Sequence, residues 1–270
     1  MTIGQFLKNA TDALVVAGVD SARLDCLVLL EDVLKKDRSH LLAHPEIPLS
    51  DAQLTRLNNY VTQRKTHVPL AYIRGKICFF GRDFYVNTDV LVPRPETESI
   101  IELLLELDLP AQAGIADIGC GSGCIGITAA LEMPDVHVSL YDIDSAALAV
   151  AEQNAKMLKA NVTLKRQDLL TNCDDHFDVI LANLPYVPKA YTVNAAAKHE
   201  PSQALYSGPD GLDHYRRIWK QIAARTDKPT RVIIEALPTQ HAQLTEFARN
   251  ASYALTGHKD FVLAFSIANA

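Results

Sequence analysis

Cysteine is sparse in this chain: Cys26, Cys78, Cys120, Cys124 and Cys173 make an odd count with no C-x-x-C pair. That pattern suits a reducing compartment and argues against a disulfide framework or a structural zinc site, so no metal is expected. Long hydrophobic runs are missing as well. The apolar stretch at 13–19 is closed by Asp12 and Asp20, short of the roughly 20 residues that span a bilayer. No basic-then-apolar leader opens the chain, whose first arginine is Arg23, and a cytoplasmic protein is the expectation. Positive charge is not in excess either. A net charge of −6 is the wrong sign for general phosphate-backbone binding, so direct nucleic-acid binding is not expected. Repeats and low-complexity tracts are absent.

What is present is a chain of 270 residues, 48% hydrophobic, long enough for one substantial core and a second, smaller domain. Apolar residues fall at helical spacing in the first 66 positions, as in Leu24, Leu27, Val28, Leu30 and Leu34, or Leu54, Leu57 and Val61. Ser50-Asp51 is a plausible helix start. Residues 71–86 turn β-like, with Ile77, Phe79, Phe80, Phe84 and Tyr85 around Gly75 and Gly81. An amphipathic helix is then expected over 97–107. Beyond it, strands at 115–118, 137–143, 162–166, 177–182 and 231–236 alternate with helices at 124–132 and 146–158. Such alternation predicts an α/β fold, a parallel sheet with helices on both faces. Residues 253–259 and 261–267 should close it as an antiparallel hairpin. The expected division is a helical domain at 1–70, a hairpin linker at 71–87 and a Rossmann-like domain at 88–270.

Asp117-Ile118-Gly119-Cys120-Gly121-Ser122-Gly123 stands where the first sheet strand meets its helix. Glycines there let backbone approach a ligand at the strand's carboxyl end. Asp142 ends the next strand, from which a carboxylate can accept both ribose hydroxyls of an adenosine-containing cofactor. Asp168, beside Leu169, ends the third and either borders the adenine or is an ordinary loop carboxylate. The turn alone does not name the cofactor. Gly121-x-Gly123-x-x-Gly126 also fits the dinucleotide fingerprint, and an NAD-dependent oxidoreductase remains a rival reading.

The next motif bears on the chemistry. The strand at 177–182 runs into Asn183-Leu184-Pro185-Tyr186. If strand order reverses between the first and fourth strands, this loop faces the glycine turn across the ligand crevice. An amide or exocyclic amine has its lone pair delocalised, so methyl transfer from a sulfonium needs alignment and charge support. Asn183 Oδ1 can accept one N–H of the target and the Leu184 carbonyl the other. Pro185 stiffens the turn, and Tyr186 offers an aromatic wall to a planar group. The bland alternative is a strand-ending turn.

At these residues the chain resembles the glutamine N5-methyltransferase family that acts on class I release factors (PrmC/HemK-like). The resemblance covers most of the length. It is carried by Ala22-Arg23-Leu24-Asp25, by 80–86, by Leu91-Val92-Pro93-Arg94-Pro95-Glu96-Thr97-Glu98, and by Glu200-Pro201-Ser202-Gln203-Ala204-Leu205 continuing to Asp210-Gly211-Leu212 and Tyr215-Arg216. It implies a seven-stranded Rossmann-like methyltransferase sheet, S-adenosylmethionine as cofactor, and the Gly-Gly-Gln glutamine of a release factor as substrate. It also implies a helical N-terminal domain that docks the factor, and it puts Arg94 and Glu96 at the pocket wall. Read locally, Pro95, Glu96 and Glu98 are also good helix-start chemistry.

Three positions depart from the family pattern. Leu184 replaces a usual proline, although a backbone carbonyl serves equally from leucine. Ser207 stands where glycine is usual, and Glu235-Ala236-Leu237-Pro238 replaces a more glycine-containing strand ending. Asn-Leu-Pro-Tyr also occurs in enzymes that dimethylate adenines in ribosomal RNA, which keeps an adenine N6-methyltransferase on RNA or DNA as an alternative.

Overall fold

The fold was obtained as a computed structural model and is described for residues 1–268. It divides into two units, one of Met1–Lys76 with Val193–His199, the other of Ile77–Thr192 with Glu200 onward.

The first unit is helical: α1 (Ile3–Val16), α2 (Ala22–Leu34), α3 (Arg38–Ala43), α4 (Asp51–Lys65) and α5 (Leu70–Arg74). Thr2 and Ser50 start α1 and α4 with reciprocal capping boxes to Gln5 and Gln53, which satisfy otherwise orphaned N–H groups. Ile3, Phe6, Leu14, Cys26, Leu30 and Leu57 meet in one core. The Arg23-Leu24-Asp25 stretch has a structural use there: Arg64 Nε donates to the buried Asp25 at 2.7 Å and its Nη1 to the Val68 carbonyl at 3.2 Å.

Residues 71–74 correct a β-like expectation. They belong to α5, started by Pro69 and stopped by Gly75 at φ 68, while Arg74 reaches Asp32 on α2 at 2.5 Å. The hairpin proper is β1 (Lys76–Phe79) and β2 (Arg82–Tyr85). Its two turn residues, Phe80 and Gly81, both have positive φ, the geometry that matches strand twist in a two-residue loop.

The second unit continues through α6 (Glu98–Leu105), β3 (Gly114–Ile118), α7 (Cys124–Glu132), β4 (His137–Asp142), α8 (Ser145–Leu158), β5 (Val162–Arg166), β6 (Val179–Ala182), α9 (Ser202–Leu205), α10 (Asp213–Ala224), β7 (Arg231–Glu235), α11 (His241–Asn250), β8 (Tyr253–Lys259) and β9 (Val262–Ile267). The seven-stranded sheet has the order β5-β4-β3-β6-β7-β9-β8. All pairs are parallel except β7 with β9 and β9 with β8. Strand alternation sorts the core into two layers. Ala116, Ile118, Ile180, Ala182, Val232 and Ile234 pack on α10 and α11, whereas Ile115, Val179, Leu181 and Ile233 pack on α6, α7 and α8. Because β4 and β6 flank β3 on opposite sides, the loops after β3 and β6 open together at the carboxyl edge, where sheets of this type bind ligands. Among the described residues no helix is long and apolar enough to cross a membrane.

Candidate active site

The loop after β3 is shaped by three left-handed glycines, Gly119, Gly121 and Gly123, at φ 74, 53 and 77. A Cβ on Gly119 would come within 2.8 Å of Leu184 Cδ2, whereas one on Gly121 would meet nothing within 4 Å. The loop is tight on its inner side and open on its outer one. Asp142 holds it: Oδ2 accepts the Gly121 N–H and Oδ1 accepts the Asp144 N–H, each at 2.9 Å. Burial pushes this carboxyl up and the two N–H groups oppose that. Each oxygen keeps a further lone pair. Asn154 braces the far side. Its Nδ2 donates to the carbonyls of Ser122 and Tyr85 at 2.9 and 3.0 Å, and its Oδ1 accepts the Tyr85 N–H at 2.7 Å.

Asp117 and Gly123 lie outside the lining of the cavity in front of this loop. Asp117 is fully buried, with Oδ2 on the Gly126 N–H at 2.9 Å and Oδ1 without a partner among the described residues. Burial pushes its carboxyl up to about 7. Gly126 is glycine for packing, since a Cβ there would overlap Leu140 and crowd Asp117.

The cavity measures about 350 Å³ and is lined by Gly119, Cys120, Gly121, Ser122, Asp142, Asp168, Leu169, Asn183, Leu184 and Pro185, with Gln203, Ala204, His214 and Arg217 also present. Its size falls within the range of small-molecule sites. Asp168 is paired with Arg217 at 2.6 Å. Gln203 Nε2 donates to Asp144 at 2.5 Å, so part of the long connection after β6 forms a wall of the cavity.

The Asn183–Tyr186 turn is held from below by residues that its own sequence does not announce. Asn183 Nδ2 donates to Glu235 Oε2 at 3.0 Å and to Thr97 Oγ1 at 3.2 Å. Tyr186 donates its hydroxyl to the other Glu235 oxygen at 3.0 Å. The buried Tyr215 hydroxyl accepts the Leu184 N–H at 3.2 Å and contacts the carbonyls of Ala182 and Glu235. Gln240 Nε2 donates to the Tyr186 carbonyl at 2.8 Å and to the Asp210 carbonyl at 3.0 Å. Gly211, at φ 82, passes so close to the Tyr186 carbonyl that a Cβ would stand 2.1 Å from it. Among the described residues, neither Asn183 Oδ1 nor the Leu184 carbonyl accepts a hydrogen bond. Both residues line the cavity, and Tyr186 lies outside its lining.

Arg94 and Glu96 are also outside the lining. Arg94 Nη2 donates to both oxygens of the buried Glu200 at 2.7 and 2.9 Å, while Glu96 is exposed. Burial pushes the Glu200 carboxyl up and the guanidinium offsets it. Ser207 has a local reason: its Oγ accepts the His214 N–H at 3.0 Å and lies 2.6 Å from His214 Nδ1, tying down the start of α10.

This arrangement fits an adenosine-bearing cofactor, with a close-approach backbone at Gly121 and free lone pairs on Asp142, beside two acceptors suited to an N–H₂ group. Comparison with known proteins narrows it. A family model described as the PrmC N-terminal domain matches residues 5–75, and one described as the methyltransferase small domain matches 98–204. The chain is 38% identical to the release factor glutamine methyltransferase of Bacillus subtilis (strain 168), over 82% of this chain and 80% of that protein. It is 40% identical to the one of Moorella thermoacetica, over 80% and 78%. Among solved structures, the hMettl16 catalytic domain with the MAT2A 3'UTR hairpin 1 superposes at a TM-score of 0.53 and 13% identity, covering 83% of each chain. The T. Thermophilus 16S rRNA N2 G1207 methyltransferase gives 0.52 and 14%, covering 72% of this chain and 50% of that one. At such identities these two speak for the fold alone. The relatives extend over both units, and the chain belongs to the release factor glutamine methyltransferase family.

Proposed function

We propose that the chain methylates the side-chain amide nitrogen (N5) of the glutamine in the Gly-Gly-Gln motif of class I peptide-chain release factors, in support of translation termination. S-adenosylmethionine supplies an electrophilic methyl group on a sulfonium centre. Asp142 would hold its ribose, and the turn Gly119-Cys120-Gly121-Ser122-Gly123 would carry it, with Asp168 and Leu169 at the adenine side.

The observation that carries the reading is a pair of unfilled acceptors on two cavity-lining residues, Asn183 Oδ1 and the Leu184 carbonyl. A primary amide presents two N–H donors in one plane. Accepting both turns the amide so that its nitrogen faces the methyl donor, and draws N–H density toward oxygen as positive charge grows on nitrogen. Pro185 and the braced Tyr186 keep the two acceptors at fixed separation. The proton leaves to water afterwards. The amino edge of adenine would satisfy the same pair, so the choice of a protein amide rests on the family and on the N-terminal helical unit, a second contact surface for a folded factor. Family membership also disfavours an NAD-dependent oxidoreductase. The reaction belongs to the cytoplasm, which the free cysteines suit.

Incubation with labelled S-adenosylmethionine and intact release factor, wild type or with that glutamine replaced, tests the assignment. Label should enter the wild-type factor alone. Equal labelling of both, or of RNA only, would overturn it.

A further inference from the structure

We propose that Glu235 is a positioning residue that fixes which end of the Asn183 carboxamide the cavity sees. The inference deepens the reading above and rests on it for its kinetic arm only.

The two ends of an asparagine carboxamide have almost the same shape, and a half-turn exchanges the acceptor for a donor. A donor facing the cavity would oppose a substrate N–H. Something must therefore hold the end. Asn183 Nδ2 has two partners behind the cavity, Glu235 Oε2 at 3.0 Å and Thr97 Oγ1 at 3.2 Å. The threonine hydroxyl accepts from Asn183, but a hydroxyl can also donate, so Thr97 alone does not choose the end. Burial pushes the Glu235 carboxyl up, and its donors, Tyr186 and Asn183 among them, oppose that; in its ionised form it has no hydrogen at all. A turned amide would set Oδ1 against that carboxylate, two acceptors facing each other.

The choice of an acid is itself informative. Glu235 is 1% exposed and takes two neutral donors, from Asn183 and Tyr186. Among the described residues it forms no ion pair. Burying a carboxylate without a cation is costly, and glutamine would occupy the same space without that cost. Glutamine, however, could offer its own N–H₂ to Asn183 Oδ1 and so tolerate both amide orientations. Only the carboxylate excludes one of them. The charged and titratable neighbours are Glu96, Tyr186, Tyr215 and Cys124; Arg94, the cation that acts on Tyr186, is itself paired with Glu200. Backbone register delivers the residue: Ile234 pairs with Ala182 across β7 and β6, which places the next residues, Glu235 and Asn183, side by side.

The test is Glu235→Gln in the full-length enzyme, with Thr97→Val as a second variant that leaves the carboxylate in place. In the wild-type enzyme the Asn183 side-chain amide should give one pair of nitrogen-attached proton signals, identified by their loss in Asn183→Ala and slow to exchange with solvent. Glu235→Gln should split or speed the exchange of that pair and lower kcat by about tenfold or more, with affinity for S-adenosylhomocysteine within about threefold. Thr97→Val should keep a single orientation. The proposal is overturned if the Asn183 signals and kcat of Glu235→Gln match wild type, or if cofactor affinity falls as far as kcat. The signal measurement needs no methyl acceptor, so it stands or fails separately from the choice of substrate.

Discussion

Arg94 meets Glu200 across 106 residues of sequence, one guanidinium nitrogen serving both oxygens of a carboxylate that is almost wholly buried. The pair joins the segment before α6 to the start of α9, whose Gln203 and Ala204 line the cofactor cavity. Arg94→Ala strands a buried charge. Since Arg94 itself is 37% exposed, water recovers part of the loss, and a destabilisation of about 1–3 kcal/mol is expected. Urea unfolding measures it, and Arg94→Ala combined with Glu200→Gln should be milder than Arg94→Ala alone.

Asp142→Ala removes the acceptor of the Gly121 and Asp144 N–H groups together with the proposed ribose contact. Affinity for S-adenosylhomocysteine should fall by about 1–3 kcal/mol. Calorimetry reads this directly. Affinity unchanged would place the ribose elsewhere.

Asn183→Ala should act on turnover. Loss of an oriented acceptor that matters only as charge develops lowers kcat by on the order of a hundredfold or more, with little change in cofactor affinity. Single-turnover methylation of the release factor distinguishes this from a turn with a purely structural role, which would leave kcat near normal.

Leu184→Pro restores the residue usual in the family. The carbonyl survives, so turnover should stay within about tenfold. The N–H donated to Tyr215 is lost, and stability should drop by about 1 kcal/mol. Parallel kinetics and thermal unfolding check both halves.

Asp117 makes a prediction about pH. Burial pushes its carboxyl from 3.8 up to about 7 in the fold. Between about pH 4 and pH 7 the folded state therefore binds more protons than the unfolded chain, and stability contributed by this group declines as pH rises through that window. Asp117→Asn should flatten the decline. Denaturant midpoints at pH 5 and pH 7.5 for both proteins isolate it from histidines that titrate nearby, and an identical slope in the variant would refute it.

Much of the fold was legible because strands such as 115–118 and 179–182 are short apolar runs separated by well-marked helices, and the turn glycines at 119–123 sit between them. The five-residue α5 was not. It is too short to show a helical period, and its stop, Gly75, reads equally well as a β-turn. In the site, the loops could be read because they are contiguous. Glu235, Thr97 and Gln240 could not, since each meets the Asn183–Tyr186 turn only through sheet register or a helix start 49 to 86 residues away. Arg94 illustrates the opposite difficulty. A charged residue in a distinctive motif reads as a ligand contact, and its buried partner Glu200 becomes visible only when the chain has folded back.

Leu184 has a consequence for how this sequence can change. Its Cδ2 occupies the space that a Cβ at position 119 would need, so Gly119 is fixed twice, once by its positive φ and once by its neighbour. With the smaller side chain at 184, only the backbone demand would remain. Positions 119 and 184 are therefore coupled: a side chain at 119 costs more beside leucine at 184 than beside a smaller residue, over and above the cost of its backbone conformation.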